Sequence, residues 1–200
     1  RLSRAAPVPP IIGPGGGIVV SPPEFAELDR KFAAKRETAD VAAALDPRTE
    51  DRVMPGLLAA GLEAWIAGQG GLGKVFAQDP PPSAKPPLHA RLRRVLNEAT
   101  EDEAHWAFRA IATTHANAAL TRLKSACVAA GLTADTPKRR LFVLRNAPWA
   151  KGARTQEALA EFERAGGRIL PVSEDDLRIL AALRALLDEN PQHLREWLAV

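Results

Sequence analysis

The chain has 200 residues, a formal net charge of +3 and a hydrophobic fraction of 46%, which fit one large or two small globular domains and exclude wholesale disorder. Its single cysteine, Cys127, excludes a disulfide framework and a Cys-rich zinc site and fits a reducing compartment, so we expect a cytoplasmic protein. No apolar run approaches the roughly 18 residues that a membrane span needs, and we expect no membrane partner.

The N-terminal residues 1–17 are predicted to form a flexible tail or linker. Residues 6–10 are proline-rich and favour an extended path, and the glycine-rich run 13–17 disfavours a helix. The β-branched run Ile18–Val20 that follows is a candidate short strand. Because the chain begins at Arg1, we expect it to be a piece of a longer protein.

Residues 18–131 are predicted to be a helical region with a loop at 68–87. The helix expected at 53–67 has apolar residues at i, i+4, i+7 and i+8, which form one face. The loop is rich in glycine and proline and has no periodic pattern. Beyond it, helical spacing predicts three more helices, marked by Leu88, Leu92, Val95 and Leu96, by Trp106, Ala110 and Ile111, and by Leu120, Leu123, Cys127 and Ala130.

Residues 138–200 are predicted to form a βαβα unit. The apolar runs at 140–145 and 168–172 are typical of short strands, and the segment between them is typical of a helix. Ser173 followed by three acidic residues indicates the start of a second helix. Two parallel strands need a further strand for a stable sheet, and Ile18–Val20 is the candidate within this chain. The predicted fold class is therefore α+β, mostly α-helical, with a short parallel sheet.

The loop after the first strand of this unit is the candidate binding site. Arg145, Lys151 and Arg154 supply three positive charges, and Trp149 supplies a ring on which a base can stack. Ligands of open α/β sheets collect at the carboxyl ends of strands, where the next helix adds free N–H groups. We therefore expect this loop to bind phosphate, particularly that of single-stranded nucleic acid.

The charge distribution supports the same region. Residues 138–168 contain eight basic residues against three acidic ones, which is the strongest charge bias in the chain. This excess fits an electrostatic footprint for DNA or RNA, although a solvated charged face is the other interpretation. Lys138, Arg139 and Arg140 precede the strand, at the end opposite the loop, so the two basic patches need not form one surface.

A second glycine-rich segment, Gly68–Lys74, matches the G-x-x-x-x-G-K spacing of a phosphate-binding loop. That chemistry needs a preceding strand and a hydroxyl after the lysine to hold magnesium. Here a predicted helix precedes the loop and Val75 follows the lysine, so we expect a glycine-rich helix exit and no nucleotide cofactor.

Candidates for metal binding and nucleophilic catalysis are few. Glu98, Asp102 and His105 share one face of a predicted helix, but a closed metal site needs a second set, and His115 is the nearest addition. Cys127 lies on an apolar stripe, which is typical of a buried thiol rather than a nucleophile. We expect no metal site and no catalytic residue.

Three segments, Arg140–Arg145, Thr155–Gly167 and Ser173–Asp176 with its leucine-rich helix, carry a resemblance that covers under half of the chain. They resemble the accessory C-terminal region of large bacterial ATPases of mobile-element and phage-defence type. The resemblance implies a DNA-associated role in a larger machine. It implies no ATPase activity here, because the chain lacks an acceptable Walker site.

These observations predict a non-catalytic nucleic-acid-associated or assembly module of a larger bacterial machine, whose partners are DNA or RNA and other subunits of the assembly. One alternative is a protein–protein interaction module without nucleic acid, anchored by Trp106, Trp149 or Trp197. The second alternative is a nuclease or nucleotide hydrolase. It would use Asp175 and Asp176, which are also ordinary helix-start residues.

Overall fold

A mixed sheet of five strands organises the computed structural model, which describes residues 23–80 and 86–199. The strands are β1 (Phe76–Gln78), β2 (Ala90–Asn97), β3 (Asp102–Ala110), β4 (Arg139–Leu144) and β5 (Gly167–Leu170). They lie across the sheet in chain order. β2 pairs antiparallel with both β1 and β3, whereas β3, β4 and β5 are parallel.

Helices supply the connections that parallel strands require. Within residues 23–80 and 86–199 the α-helices are α1 (Ala26–Thr38), α2 (Glu50–Gly68), α3 (Ala116–Ala130), α4 (Ala153–Arg164), α5 (Glu174–Glu189) and α6 (Leu194–Leu198). α3 joins β3 to β4, and α4 joins β4 to β5. None of these described helices combines the length and hydropathy needed to cross a membrane.

Local sequence explains where two of these helices begin and end. α3 ends at Gly131, which adopts a left-handed conformation with φ of 61°. α5 begins at a capping box, in which Ser173 accepts a hydrogen bond from the Asp176 N–H and Asp176 accepts one from the Ser173 N–H. Both ends therefore lie where the sequence pattern places them.

Helices pack against both faces of the sheet, and successive residues of each strand point to opposite faces. On one side, Leu141 and Val143 of β4 are fully buried against α3 and α4. On the other side, Phe108 and Leu144 pack against Met54 of α2 and the first turns of α5. We call these sides the α3/α4 face and the α2/α5 face.

The predicted α+β fold class is confirmed, with mostly helical structure and a sheet that contains parallel strands. The βαβα unit is also present, as β4, α4, β5 and α5, and its two strands are parallel as expected. The predicted tail at 1–17 and the predicted strand Ile18–Val20 lie outside the described residues.

The helix predicted from Leu88, Leu92, Val95 and Leu96 and the helix predicted from Trp106, Ala110 and Ile111 are wrong, because this segment forms the antiparallel strands β2 and β3. Leu92 and Leu96 are four residues apart, a spacing that satisfies both a helical turn and the alternation of a strand. Trp106 and Ala110 are also four residues apart, so their spacing likewise fits both a helix and a strand. The missing partner of the parallel pair is therefore β3, which lies beside β4.

The predicted loop at 68–87 is also partly ordered secondary structure. Gly70–Val75 forms a 3₁₀ helix directly after α2, and β1 follows it. Residues 81–85 lie outside the described part of the chain. The short strand β1 extends the antiparallel side of the sheet to its edge.

Candidate nucleic-acid interface

Arg145, the first residue after β4, lies inside the protein with 5% of its surface exposed. Its Nη1 donates hydrogen bonds to the carbonyl oxygens of Ile111 and Thr113, both at 2.8 Å, and its Nη2 donates to that of Pro148 at 2.9 Å. Burial lowers the pKa of Arg145 below its ordinary value. The guanidinium therefore ties the loop after β3 to the loop after β4.

The Trp149 side chain packs against the guanidinium of Arg145. The Arg145 guanidinium carbon lies 4.4 Å from the centre of the Trp149 ring, and the ring also contacts the core under α3 and α4. Asn146 holds the loop to the end of β5 through two hydrogen bonds with the backbone of Val172, at 2.7 and 2.9 Å. The ring is thus part of the packing of this loop rather than an open stacking surface.

Lys151 and Arg154 are the loop cations that remain exposed. Arg154 lies in the first turn of α4, whose N-cap residue Gly152 provides no side-chain cap for the free N–H groups. The described residues place no carboxylate within 4 Å of either cation. Of the four predicted loop ligands, these two can meet a phosphate.

The basic cluster before β4 separates into three different environments. Lys138 Nζ lies 2.5 Å from both carboxylate oxygens of Asp102, so its charge is paired. Arg139 donates to the carbonyl oxygen of Ala130 at 3.2 Å. Arg140 is exposed, and its nearest hydrogen bond is to the carbonyl oxygen of Arg139 at 3.0 Å. Arg140 is therefore the member of this cluster best placed to bind an anion.

Arg140 belongs to a surface that sequence reasoning missed. Three exposed arginines, one each on β2, β4 and β5, lie directly opposite an aromatic residue of an adjacent strand. Residues that pair across strands share a face, so all six side chains lie on the α2/α5 face. We call this surface the arginine–aromatic face; its pairs are Phe76–Arg94, Trp106–Arg140 and Phe142–Arg168.

Aromatic rings form a continuous line at one side of this surface. The Arg94 guanidinium carbon lies 5.6 Å from the centre of the Phe76 ring. Trp65, in the last turn of α2, meets Phe76 edge to face with ring centres 4.9 Å apart, and Phe76 lies 6.3 Å from Trp106. Trp65 is 43% exposed, and the other two rings are half-buried.

The two faces of the sheet differ in how their arginines are neutralised. On the α3/α4 face, Arg93 lies 2.8 Å from Asp79 and 3.3 Å from Glu103, and Arg91 lies 3.6 Å from Asp79. In the described residues, none of the three arginines of the arginine–aromatic face has a carboxylate within 4 Å. The acidic residue that shares their face, Asp102, is paired with Lys138.

One sequence signal could have revealed part of this surface. Ala90, Leu92, Arg94 and Leu96 alternate with residues of the opposite face, which is the period of a strand. Treating 90–110 as two strands would place Arg94 and Trp106 on one side of a sheet. The pairing of β4 with β3, which adds Arg140, cannot be obtained from alternation alone.

The carboxylates proposed for nuclease chemistry are engaged elsewhere. Asp175 forms a two-pronged ion pair with Arg36 of α1, with N–O distances of 2.6 and 2.8 Å. Asp176 belongs to the capping box of α5, and hydrogen bonds from Ser173 lower the pKa of its carboxyl. Both residues therefore stabilise the start and the docking of α5.

The other chemical candidates are dispersed. Asp102 and His105 lie on β3, three residues apart, and so point to opposite faces. Among the described residues no three His, Cys, Asp or Glu side chains converge as a metal ion requires. Burial raises the pKa of the Cys127 thiol to about 11, which keeps it protonated.

Gly68–Lys74 leads from a helix into a 3₁₀ helix and then a strand, without the helix start that a phosphate loop needs.

A buried ionic cluster at the carboxyl end of β3 was also missed. His89 Nδ1 accepts a hydrogen bond from the Ala110 N–H at 3.2 Å, and its Nε2 lies 3.0 Å from Asp51 Oδ1 and 2.6 Å from Arg109 Nη1. Arg109 Nη1 lies 2.8 Å from the same carboxylate oxygen and donates to the Pro86 carbonyl at 2.7 Å. Burial lowers the pKa of His89 to about 4 and both of its ring nitrogens have partners, so its imidazole is engaged in this cluster.

Comparison of the chain with protein families, with curated proteins and with solved structures finds no match.

Proposed function

We propose that this chain is a non-catalytic nucleic-acid-associated module of a larger bacterial assembly in the cytoplasm. The proposal assigns the contact with phosphate mainly to the arginine–aromatic face. The observation that carries it is the presence of Arg94, Arg140 and Arg168 on one face of the sheet without carboxylate partners among the described residues. Unpaired arginines in a row are the feature that a phosphate backbone recognises.

The opposite face supports this assignment by contrast. Its arginines are paired with Asp79 and Glu103, so the pairing of charges within the sheet is selective. If the three exposed arginines only kept the protein in solution, acidic neighbours would serve equally well on both faces. Among the described residues, the acidic side chain on this face, Asp102, pairs with Lys138 and leaves the three arginines without a carboxylate within 4 Å, which favours an external anion as their partner.

Lys151 and Arg154 are retained as a second proposed phosphate contact at the carboxyl edge of the sheet. Arg145 and Trp149 are not carried into the proposal, because their hydrogen bonds and contacts lie within the protein. The two remaining patches lie at opposite ends of β4. A nucleic acid can therefore contact one patch without reaching the other.

The test replaces Arg94, Arg140 and Arg168 by alanine in the full chain. Binding to fluorescent DNA and RNA oligonucleotides is measured by anisotropy at low salt. We expect affinity to fall about tenfold or more, because three phosphate contacts are lost. Unaltered far-UV circular dichroism establishes that the variant is folded.

A matched control replaces Arg30, Arg52 and Lys124, which are exposed and have no carboxylate within 4 Å in the described part of the chain. This control removes the same net charge from other surfaces, so its affinity should change much less. Equal losses in both triple variants would show a non-specific charge effect and contradict the proposed surface. No binding by the unaltered chain would contradict the proposed function.

The alternative of a protein interaction module has one specific observation in its favour. A largely apolar depression of about 560 Å³ lies between α3 and α4, lined by Leu123, Cys127 and Phe162 among others. Val128 at its rim is 82% exposed. Absence of nucleic-acid binding, together with self-association that Val128→Asp abolishes in sedimentation experiments, would favour this alternative.

A further inference from the structure

We infer that the arginine–aromatic face binds single-stranded nucleic acid in preference to a duplex, with bases against its rings and phosphates at its arginines. This inference rests on the proposed function and adds the form of the ligand. It requires two properties of the surface: cations and rings must alternate at nucleotide-like spacing, and the rings must be reachable from solvent.

The strand register produces the alternation. Each arginine lies directly opposite a ring, as Arg94 opposite Phe76, Arg140 opposite Trp106 and Arg168 opposite Phe142. Strand geometry places Arg140 roughly 8 Å from Arg168 and roughly 12 Å from Arg94 between Cα atoms. The guanidinium groups are long and flexible, so this row can follow successive phosphates while the rings between them meet bases.

Access follows from how the helices lie on this side of the sheet. α2 and α5 bury Phe108, Leu144 and Ala110, which are toward the carboxyl ends of the parallel strands. Arg140 and Arg168, toward the amino ends, are exposed. Among the described residues, the helical layer therefore covers the half toward the carboxyl ends and leaves Arg140 and Arg168 exposed in the other half, which we call the open half; the last turn of α2 reaches that half at Phe76. Trp65 borders the open half as an exposed ring beside Phe76.

The geometry favours a single strand over a duplex because of what each ligand presents. A duplex keeps its bases stacked within the helix and is recognised by elements that enter a groove, such as a helix or a protruding ribbon. The arginine–aromatic face is a sheet surface, and its rings can contact only bases that are unstacked. Base stacking on aromatic rings tolerates any sequence, so we expect no strong base preference.

Trp106 supplies the most direct test of stacking. In the full chain, Trp106→Leu removes the ring and Trp106→Phe retains one. We expect single-stranded oligonucleotides to bind about tenfold more tightly than the matching duplex, Trp106→Leu to lose about tenfold, and Trp106→Phe to lose little. The salt dependence of binding should stay the same in Trp106→Leu, since stacking displaces no counterions, a result that a simple loss of structure would not give.

Further variants keep the test decisive. Phe142→Leu should weaken single-strand binding in the same way if Trp106→Leu fails to fold. Trp197→Leu, at a half-buried tryptophan of α6 outside both proposed patches, is the matched control and should leave affinity unchanged. Parallel measurements with DNA and RNA strands of one sequence separate the two sugars, because contacts with the 2′-hydroxyl would favour RNA.

Each outcome has a separate meaning. If duplex and single strand bind equally and the ring variants are unaffected while the arginine triple variant is weakened, this inference is overturned and the proposed function stands. If no oligonucleotide binds but a polyglutamate peptide does, both are overturned and the face is a site for acidic protein segments. If single strands bind preferentially and both ring variants are weakened, the inference is supported.

Discussion

Two arginines at opposite ends of β4 have opposite environments. Arg140, near its start, is exposed and lies beside Trp106, while Arg145, just after its end, is buried with three carbonyl acceptors. Residue type alone does not distinguish the two arginines. The difference arises because the loops after β3 and β4 supply carbonyl acceptors to Arg145, whereas among the described residues Arg140 has no carboxylate within 4 Å and its side chain is exposed.

Arg145→Met tests the internal role of this residue. The substitution keeps much of the side-chain volume but leaves the carbonyls of Ile111, Thr113 and Pro148 without their donors. We expect the free energy of unfolding to fall by about 3 kcal/mol, since hydrogen bonds to charged groups are lost in a buried site. Urea denaturation measures it, and a change below about 0.5 kcal/mol would contradict the assignment.

His89 predicts a dependence of stability on acid. Its folded-state pKa is about 4, below the ordinary value of 6.5, because burial and the nearby Arg109 outweigh the attraction of Asp51. The unfolded chain therefore takes up a proton at a higher pH than the folded chain. This contribution to stability is complete above about pH 6.5 and falls as the pH drops towards 4, by about 3 kcal/mol.

Urea denaturation of the unaltered chain and of His89→Gln, between pH 4 and pH 7, measures this effect. The variant should show a shallower decline over the same range, because it has no group to protonate there. The exposed His193→Gln is the control. Identical pH profiles for the unaltered chain and His89→Gln would contradict the neutral, buried state of this residue.

At the scale of single elements, β5 and α4 are packed too closely for any side chain at the start of the strand. A Cβ atom on Gly167 would lie 2.1 Å from the ring of Phe162, a fully buried residue of α4. We expect Gly167→Ala to destabilise the protein by about 2 kcal/mol, because the ring cannot move without disturbing the core. Thermal or urea unfolding provides the measurement.

Gly71→Ala is the control for this prediction, since a Cβ atom there would meet nothing within 4 Å. Its effect on stability should lie within about 0.5 kcal/mol of zero. Equal effects of the two alanine substitutions would mean that backbone freedom, rather than packing against Phe162, determines the cost at Gly167.

The elements also show which sequence patterns are informative. Val143 and Leu141 occur in a compact apolar run bounded by charges, and Ser173 precedes three acids, so β4 and α5 were predictable. Leu92 and Leu96 were not, because a spacing of four residues fits a helix and a strand alike. This segment is a strand because it pairs with β3 and β1, and the spacing of its own residues does not show that pairing.

At the scale of the molecule, the sheet joins two segments that the sequence suggests are separate. The antiparallel strands β1–β3 come from the predicted helical region, and β3 becomes the parallel neighbour of β4. The arginine–aromatic face exists because of this junction. The sequence identifies Arg140 as a candidate by its charge. Arg94 and Arg168 lie on the same face as Arg140 because of the way β2 and β5 pair with their neighbouring strands.

The pairing of β3 with β4 also explains why the candidate binding residues in the structure differ from those that the sequence predicts. The predicted loop residues Arg145 and Trp149 lie where three strands end and their connections pack together, so they are used in holding those connections. The open half of the α2/α5 face lies at the other ends of the strands. The charge excess of residues 138–168 does not indicate which of its cations reach solvent, because Arg145 is buried whereas Arg140 and Arg168 are exposed.

The central claim is that Arg94, Arg140 and Arg168 contact phosphates, and the salt dependence of binding tests it most directly. Each phosphate contact with a single strand contributes about 0.7 to the slope of log affinity against log salt concentration. The slope for a single-stranded oligonucleotide should therefore be shallower by about 2 in the Arg94→Ala, Arg140→Ala, Arg168→Ala variant than in the unaltered chain. An unchanged slope in the folded variant would contradict the account.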